Sequence, residues 1–339
     1  MFCKIDNMEI TDEMIANVKA RMQEIINQNL EIRKVVMTKE EAEEFYSNEK
    51  TLRGIVRIDN TQKEGVSLYY CEDYFNYFFG VMPVTTAYTD VFDVIKYSDG
   101  FLVRYPSEEK PNELTNYKSN KKLLSTLEEY EDIHRVLKID TLYKLNKEIK
   151  EGRTSNVILL SEALHEKKMA NIADDIAKRK NVKMVLIAGP SSSGKTTFAK
   201  RLGVELRLNG LKPVTISVDN YFVERVDNPK DENGDYDFEC LEAIDLELFN
   251  NHIKTLLDGG TIDVPTFDFK VGTKRYNGEK MHLENDEILV IEGIHCLNDK
   301  LTSSIPMEQK YKIYISDLTV LNIDYCNRIS TTDTRLIRR

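Results

Sequence analysis

The stretch GPSSSGKTT, Gly189 to Thr197, limits what this chain can fold into more than any other. It follows the apolar run MVLIA and precedes a helical pattern that ends at Asn209-Gly210, a C-cap signal. Val185–Ala188 is short and apolar enough for a central strand of a parallel sheet, buried on both faces. A strand, a Gly-x-x-x-x-Gly-Lys-Thr turn and a helix, in that order, make a phosphate loop. Gly189 and Gly194 let backbone N–H groups converge on phosphate oxygens, and the helix N-terminus adds its positive dipole end. Pro190, Ser191, Ser192, Ser193 and Thr197 complete the nucleotide-binding stretch. Lys195 reaches the β- and γ-phosphates, and Thr196 offers a hydroxyl to Mg²⁺. The fold class expected is an α/β P-loop NTPase, a parallel sheet flanked by helices.

Two carboxylates decide what such a loop is used for. The next strand, Val214–Val218 in KPVTISVDNYF, ends in Asp219. In an open parallel sheet the carboxyl ends of the strands face the ligand crevice. There Asp219 takes a proton from an attacking hydroxyl or orients Mg²⁺; a turn-capping aspartate occupies the same place, and position alone leaves both readings open. A third strand, Ile288–Ile291, ends in Glu292-Gly293. Glu292 stands where a carboxylate holds Mg²⁺, directly or through water, or where a solvated acid simply ends a strand. Between them Asp245 opens a helix over Leu246–Leu257, closed by Gly259-Gly260. In VPTFDFKVGTKRYNGEKMHL, Asn277-Gly278 predicts a hairpin turn, and a hairpin there would wall an acceptor pocket. The sequence has no N-K-x-D after the loop, no signature loop of transport ATPases and no Asp-Glu pair ending the third strand.

A length of 339 residues suggests two domains, and 41% hydrophobic residues suffice for two cores. The net charge of −10 argues against a nucleic-acid binder, while leaving room for a local basic cleft. No run of 18 apolar residues and no basic-then-apolar leader pattern is present, so no membrane partner is expected. Cys3, Cys71, Cys240, Cys296 and Cys326 are scattered, which fits reduced thiols and a cytoplasmic location. His165-Glu166 begins like a metal-protease motif, but Met169 stands where the second histidine belongs.

Residues 12–28 have the spacing of an amphipathic helix, and Thr38 with Glu41 opens a second over Lys39–Ser47. From Gly54 to Tyr105 the aromatic and β-branched content predicts a small antiparallel sheet. Tyr117–Lys150 returns to a charged helical pattern. The domain boundary is expected near Gly152: an α+β domain over 1–152, a helical connector over 153–181 and the P-loop domain over 182–339.

From Lys183 to Arg339 the motifs GPSSSGKTTFAKRL, ISVDNYF, DGGTIDVPTFDF, ILVIEGIH and DTRLIRR resemble, in order and spacing, those of uridine kinases and the related phosphoribulokinases. The resemblance implies ATP-dependent phosphorylation of a small-molecule hydroxyl, most simply of a nucleoside such as uridine. It implies Asp219 as base, and an arginine-rich element at Arg335, Arg338 and Arg339 that helps close over the nucleotide. Tyr221, Phe267 and Arg275 are its candidate acceptor-binding residues. Phe267-Asp268-Phe269 stands where uridine kinases usually carry Tyr-Asp-Phe, and the histidine that follows there is absent from Lys270–Thr273. That departure keeps a sugar or sugar-phosphate kinase open.

In the N-terminal part, NYFFGVMPVTTAY, EEAEEFY and GFLVRYP resemble the second additional domain of threonyl- and alanyl-tRNA synthetases. Phe78 and Met82 stand at the positions of its cysteine and histidine. The resemblance implies a retained fold without the editing chemistry, and leaves open an ATP-binding regulatory or RNA-associated module with little turnover. The partner expected is a nucleoside-like acceptor rather than nucleic acid, and a homo-oligomer is left open. The abrupt ends, with few strand candidates in the P-loop half, lead to the expectation that the sequence is a piece of a longer kinase.

Overall fold

The computed structural model describes residues 1–5, 7–47, 65–78, 80–317, 321–323 and 329–339. Cys326, and residues 54–64 at the start of the aromatic-rich segment, lie outside the described residues. The chain divides into two compact units, one of Met1–Lys147 joined by Asn322, the other of Glu148–Leu321 joined by the C-terminal helix. The division falls ahead of Gly152, and residues 153–178 belong to the second unit.

The first unit contains β1 (Phe2–Cys3), α1 (Asp12–Asn27), β2 (Arg33–Thr38), α2 (Lys39–Ser47), β3 (Gly65–Cys71), β4 (Tyr74–Tyr77), β5 (Asp93–Tyr97), β6 (Gly100–Arg104), α3 (Lys121–Leu137) and α4 (Leu142–Lys150), which runs across the division. In place of one small sheet it has two antiparallel ones, β2-β3-β4 and β1-β6-β5. Each has its own apolar helix face. Ala42 and Tyr46 of α2 pack with Val66, Leu68 and Tyr77, while Ile15 of α1 packs with Ile10 and Val94. Thr38 opens α2 as its spacing predicts: its Oγ1 accepts from the Glu41 N–H at 3.2 Å, and Glu41 Oε2 accepts from the Thr38 N–H at 2.9 Å.

The second unit contains α5 (Thr154–Lys178), β7 (Met184–Ala188), α6 (Lys195–Leu208), β8 (Lys212–Ser217), α7 (Leu246–Leu257), β9 (Thr261–Asp268), β10 (Thr273–His282), β11 (Glu287–Glu292), β12 (Lys310–Tyr314) and α8 (Thr331–Arg338). Its main sheet is parallel, in the order β12-β7-β11-β8. The period of two in its strands sorts the core into two layers. Val185, Ile187, Ile288 and Val290 pack with Met169, Ala173 and Ile176 of α5 and Phe198, Leu202 and Leu206 of α6. Met184, Leu186, Leu289 and Ile291 face the other way, toward Phe249, Ile253 and Leu256 of α7. With both faces covered, β7 is buried along its whole length.

The hairpin of β9 and β10 turns at 269–272, not at Asn277-Gly278. Asp268 explains the earlier turn. Its Oδ1 accepts from the N–H groups of Lys270 and Val271, and its carbonyl from that of Gly272, whose φ of +82° suits glycine. Asn277-Gly278 instead falls where the β9–β10 register shifts between Tyr276 and Lys280, so the local turn signal is spent as a bulge inside β10.

Candidate active site

The phosphate loop leaves the carboxyl end of β7 and wraps into α6. A Cβ on Gly189 would fall 2.1 Å from the Ile315 carbonyl oxygen and 2.8 Å from Ser193 Oγ, so only glycine lets the loop pass the end of β12. Ser192 and Gly194 both have positive φ, +63° and +92°. This curls the loop so that Gly194 caps α6 without any side-chain hydrogen bond, and the first turn of α6 contains no acid. The helix N-terminus is thereby left for an external anion. Lys195 Nζ donates to the Pro190 carbonyl at 3.3 Å, inside the loop. Ser193 Oγ is buried with no partner in the protein, an orphaned polar atom within the cradle. These features fit a triphosphate.

The parallel register brings the ends of β7, β8 and β11 side by side: Glu292 lies opposite Ile187 on one flank and Ser217 on the other. Glu292 is 9% exposed, and its Oε1 accepts from Ser217 Oγ at 3.2 Å and from Thr196 Oγ1 at 3.4 Å. Two hydroxyls thus aim one carboxylate at the start of α6. The cluster offers only oxygen donors, the set a hard cation such as Mg²⁺ prefers. Gly293 sets the closeness of the neighbouring strand end, because a Cβ there would come within 2.7 Å of Val218 Cβ. The next residue, Asp219, lies in a single 3₁₀ turn after β8 and is exposed. Its carboxyl is pushed above the ordinary value: surrounding protein disfavours the charge, while Lys195 and His295 pull the other way. An acid that solvent reaches but does not surround behaves in this way.

The arginines of α8 stand against the loop. Arg335 Nε donates to the Ser191 carbonyl at 2.8 Å. Arg338 pairs with Asp317, beyond β12, and its guanidinium lies 3.1 Å from where a Cβ on Gly194 would sit. Arg339 ends the helix, its N–H bonded to the Arg335 and Leu336 carbonyls. Pro190, Ser191, Thr196 and Thr197 take their places along the loop and the first turn of α6.

The acceptor-binding expectations fare differently. Tyr221 is 1% exposed, edge-on to Phe249, with its hydroxyl 3.1 Å from His252 Nδ1. Phe267 is buried among Phe222 and Phe269. Both rings are core, and neither offers a free face for stacking. Arg275 is exposed on β10 and pairs with Asp268 at 3.1 Å. Sequence reasoning passed over Ser217, Asp317 and His295. Ser217 and His295 lie inside quoted motifs, ISVDNYF and ILVIEGIH, but nothing in their spacing separates them from ordinary strand-end residues.

Residues 184–333 match the model of the phosphoribulokinase/uridine kinase family. The chain is 29% identical over 119 residues to a uridine kinase of Halobacterium salinarum, which covers 35% of this chain and 51% of that protein. It is 32% identical over 125 residues to a uridine kinase of Ligilactobacillus salivarius, covering 37% and 57%. It therefore spans little more than half the length of these curated relatives. The solved structure of a possible uridine kinase from Bacillus stearothermophilus aligns with a TM-score of 0.35 at 20% identity, over 50% of this chain and 92% of that one. Among the described residues no helix is long and apolar enough to cross a membrane.

Proposed function

We propose that the second unit transfers the terminal phosphoryl group of ATP to a hydroxyl of a small molecule, with uridine as the first acceptor to test. The observation that carries this is the meeting of Lys195, Thr196, Asp219 and Glu292 at the carboxyl ends of three parallel strands. Phosphoryl transfer needs positioning and charge neutralisation more than covalent help, and these residues supply both. The loop amides and Lys195 hold the phosphates. Asp219 accepts the proton of the attacking hydroxyl, and its raised pKa makes it a better base than an ordinary carboxylate. Thr196 and Glu292 hold Mg²⁺, which when bound offsets charge on the phosphate oxygens. Arg335 and Arg338 screen the transferring group from the side of α8.

A sugar or sugar-phosphate acceptor is the second reading, and the burial of Phe267 and Tyr221 favours it by removing a stacking surface for a base. The N-terminal unit is proposed as a structural or regulatory module, since Phe78 and Met82 offer neither a nucleophile nor a metal-binding side chain of the hard or imidazole kind. ADP release from Mg-ATP, screened over nucleosides, sugars and sugar phosphates, tests the reading. An acceptor-dependent signal is expected; ADP release that no acceptor in the panel raises overturns it.

A further inference from the structure

His295 is a titratable side chain near the site that the roles above leave unused, and its surroundings are unusual. It follows β11 by three residues, in a turn held at one end by the Gly293 N–H on the Ile187 carbonyl at 3.1 Å. At the other end its own carbonyl accepts from the Asn298 N–H at 2.8 Å. The contact of Gly293 with Val218 brings this turn against the segment that carries Asp219. Inside it, His295 Nε2 is sealed from solvent and has no hydrogen-bond partner. A buried ring nitrogen left without a partner carries the full cost of its desolvation. A side chain of the protein close to this turn is one partner open to it. Asp219 is one residue from the Val218 contact and His295 two residues from Gly293, and His295 favours the ionised form of Asp219. Glu292, the other acid of the cleft, is already bonded by Ser217 and Thr196.

We propose that His295 is a positioning residue for Asp219: its Nε2–H donates to the Asp219 carboxylate and holds the free oxygen of that carboxylate toward the acceptor hydroxyl. This rests on the kinase reading for its purpose, though not for its geometry. In this pairing the proton of the acceptor still goes to Asp219. His295 keeps its own proton throughout.

Two measurements on the intact chain test it. Long-range ¹H–¹⁵N spectra resolve the five histidines, with the His295 signals assigned by their loss in His295→Gln. The expected result is an Nε2-protonated ring whose signals move on Asp219→Asn. A ring protonated at Nδ1 only, or signals that ignore Asp219→Asn, overturns the proposal whether or not the chain phosphorylates anything. Kinetics with Mg-ATP and uridine supply the second arm. His295→Ala should lower kcat about tenfold to a hundredfold with KM for ATP unchanged, the scale of a misplaced catalytic group. His295→Gln, which keeps a donor at the same reach, should recover most of that loss. In the Asp219→Asn background His295→Ala should cost nothing more, since its target is gone. Losses that multiply independently would mean a structural role. Wild-type protein that releases no uridine-dependent ADP counts against uridine as the acceptor, and the spectra then decide His295 alone.

Discussion

The two units bury their strands in different ways, and the difference explains why the candidate catalytic residues gather in one of them. In the second unit four strands run parallel, so their carboxyl ends share one edge, and Gly189, Asp219, Glu292 and Asp317 all leave from that edge. In the first unit neighbouring strands are antiparallel, so successive ends alternate between opposite edges. Chemistry-bearing side chains are then dispersed rather than collected. Packing follows the same line. β7 is buried on both faces, whereas β2 keeps Val36 63% exposed while Leu68, on the neighbouring β3, is fully buried. A parallel sheet covered on both sides makes a rigid floor for a site; two small half-covered sheets make a surface.

The largest effects should fall on the shared edge. Lys195→Ala should remove most of the ATP affinity seen by calorimetric titration, and Asp219→Asn should leave that affinity intact while lowering acceptor-dependent turnover by about 10²- to 10⁴-fold. The pH profile adds a sign. As the proposed base Asp219 has to be ionised, and its pKa is raised, so the acid limb of kcat/KM should lie above the ordinary carboxylate value of 3.8, with activity gained as pH rises through it. A turnover drop below about threefold in Asp219→Asn would reduce that residue to a turn cap and erase the contrast between the units.

Core substitutions sharpen the comparison from the stability side. Leu186 and Leu68 are both fully buried, one in each unit. Either change to Ala should cost about 2–5 kcal/mol. Leu186→Ala should lower the thermal midpoint that ATP raises, and Leu68→Ala should lower a transition that ATP leaves in place. A single transition shifted equally by both changes, and by ATP in both, would mean that the two units unfold as one.

The legibility of the sequence tracks this same contrast. The apolar runs ending in Ala188, Ser217 and Glu292 are readable because a strand buried on both faces admits little but Val, Ile and Leu. The phosphate loop is readable because its glycines answer to backbone geometry that no other residue meets, as the 2.1 Å approach at Gly189 shows. Tertiary choices were not readable. Asn277-Gly278 has the composition of a turn, yet Asp268 closes the hairpin at 269–272, before that pair is reached. The aromatic character of Tyr221 and Phe267 fits a stacking surface and a core equally, and only the packing of Phe222, Phe249 and Phe269 around them separates the two. His295 was invisible for a similar reason, since an orphaned nitrogen is a property of its surroundings.

The smallest expected effect concerns the first unit, where a local signal in the sequence was met in full. The Thr38–Glu41 capping box satisfies two backbone N–H groups at the start of α2, and α2 supplies Ala42 and Tyr46 to the only core that β2-β3-β4 has among the described residues. Thr38→Ala removes one of these bonds and should destabilise the unit by about 1 kcal/mol. The loss should be visible in chemical denaturation followed by tyrosine fluorescence, because Tyr46 sits against Tyr77 with ring centroids 6.4 Å apart. Thr38→Ser keeps the hydroxyl and should recover most of the difference. ATP affinity and turnover should not move, for neither side chain has any part in the phosphate loop. If Thr38→Ala lowered turnover more than about threefold while the second unit stayed folded, the first unit would be acting on the site, and the division of labour drawn from strand direction would have to be abandoned.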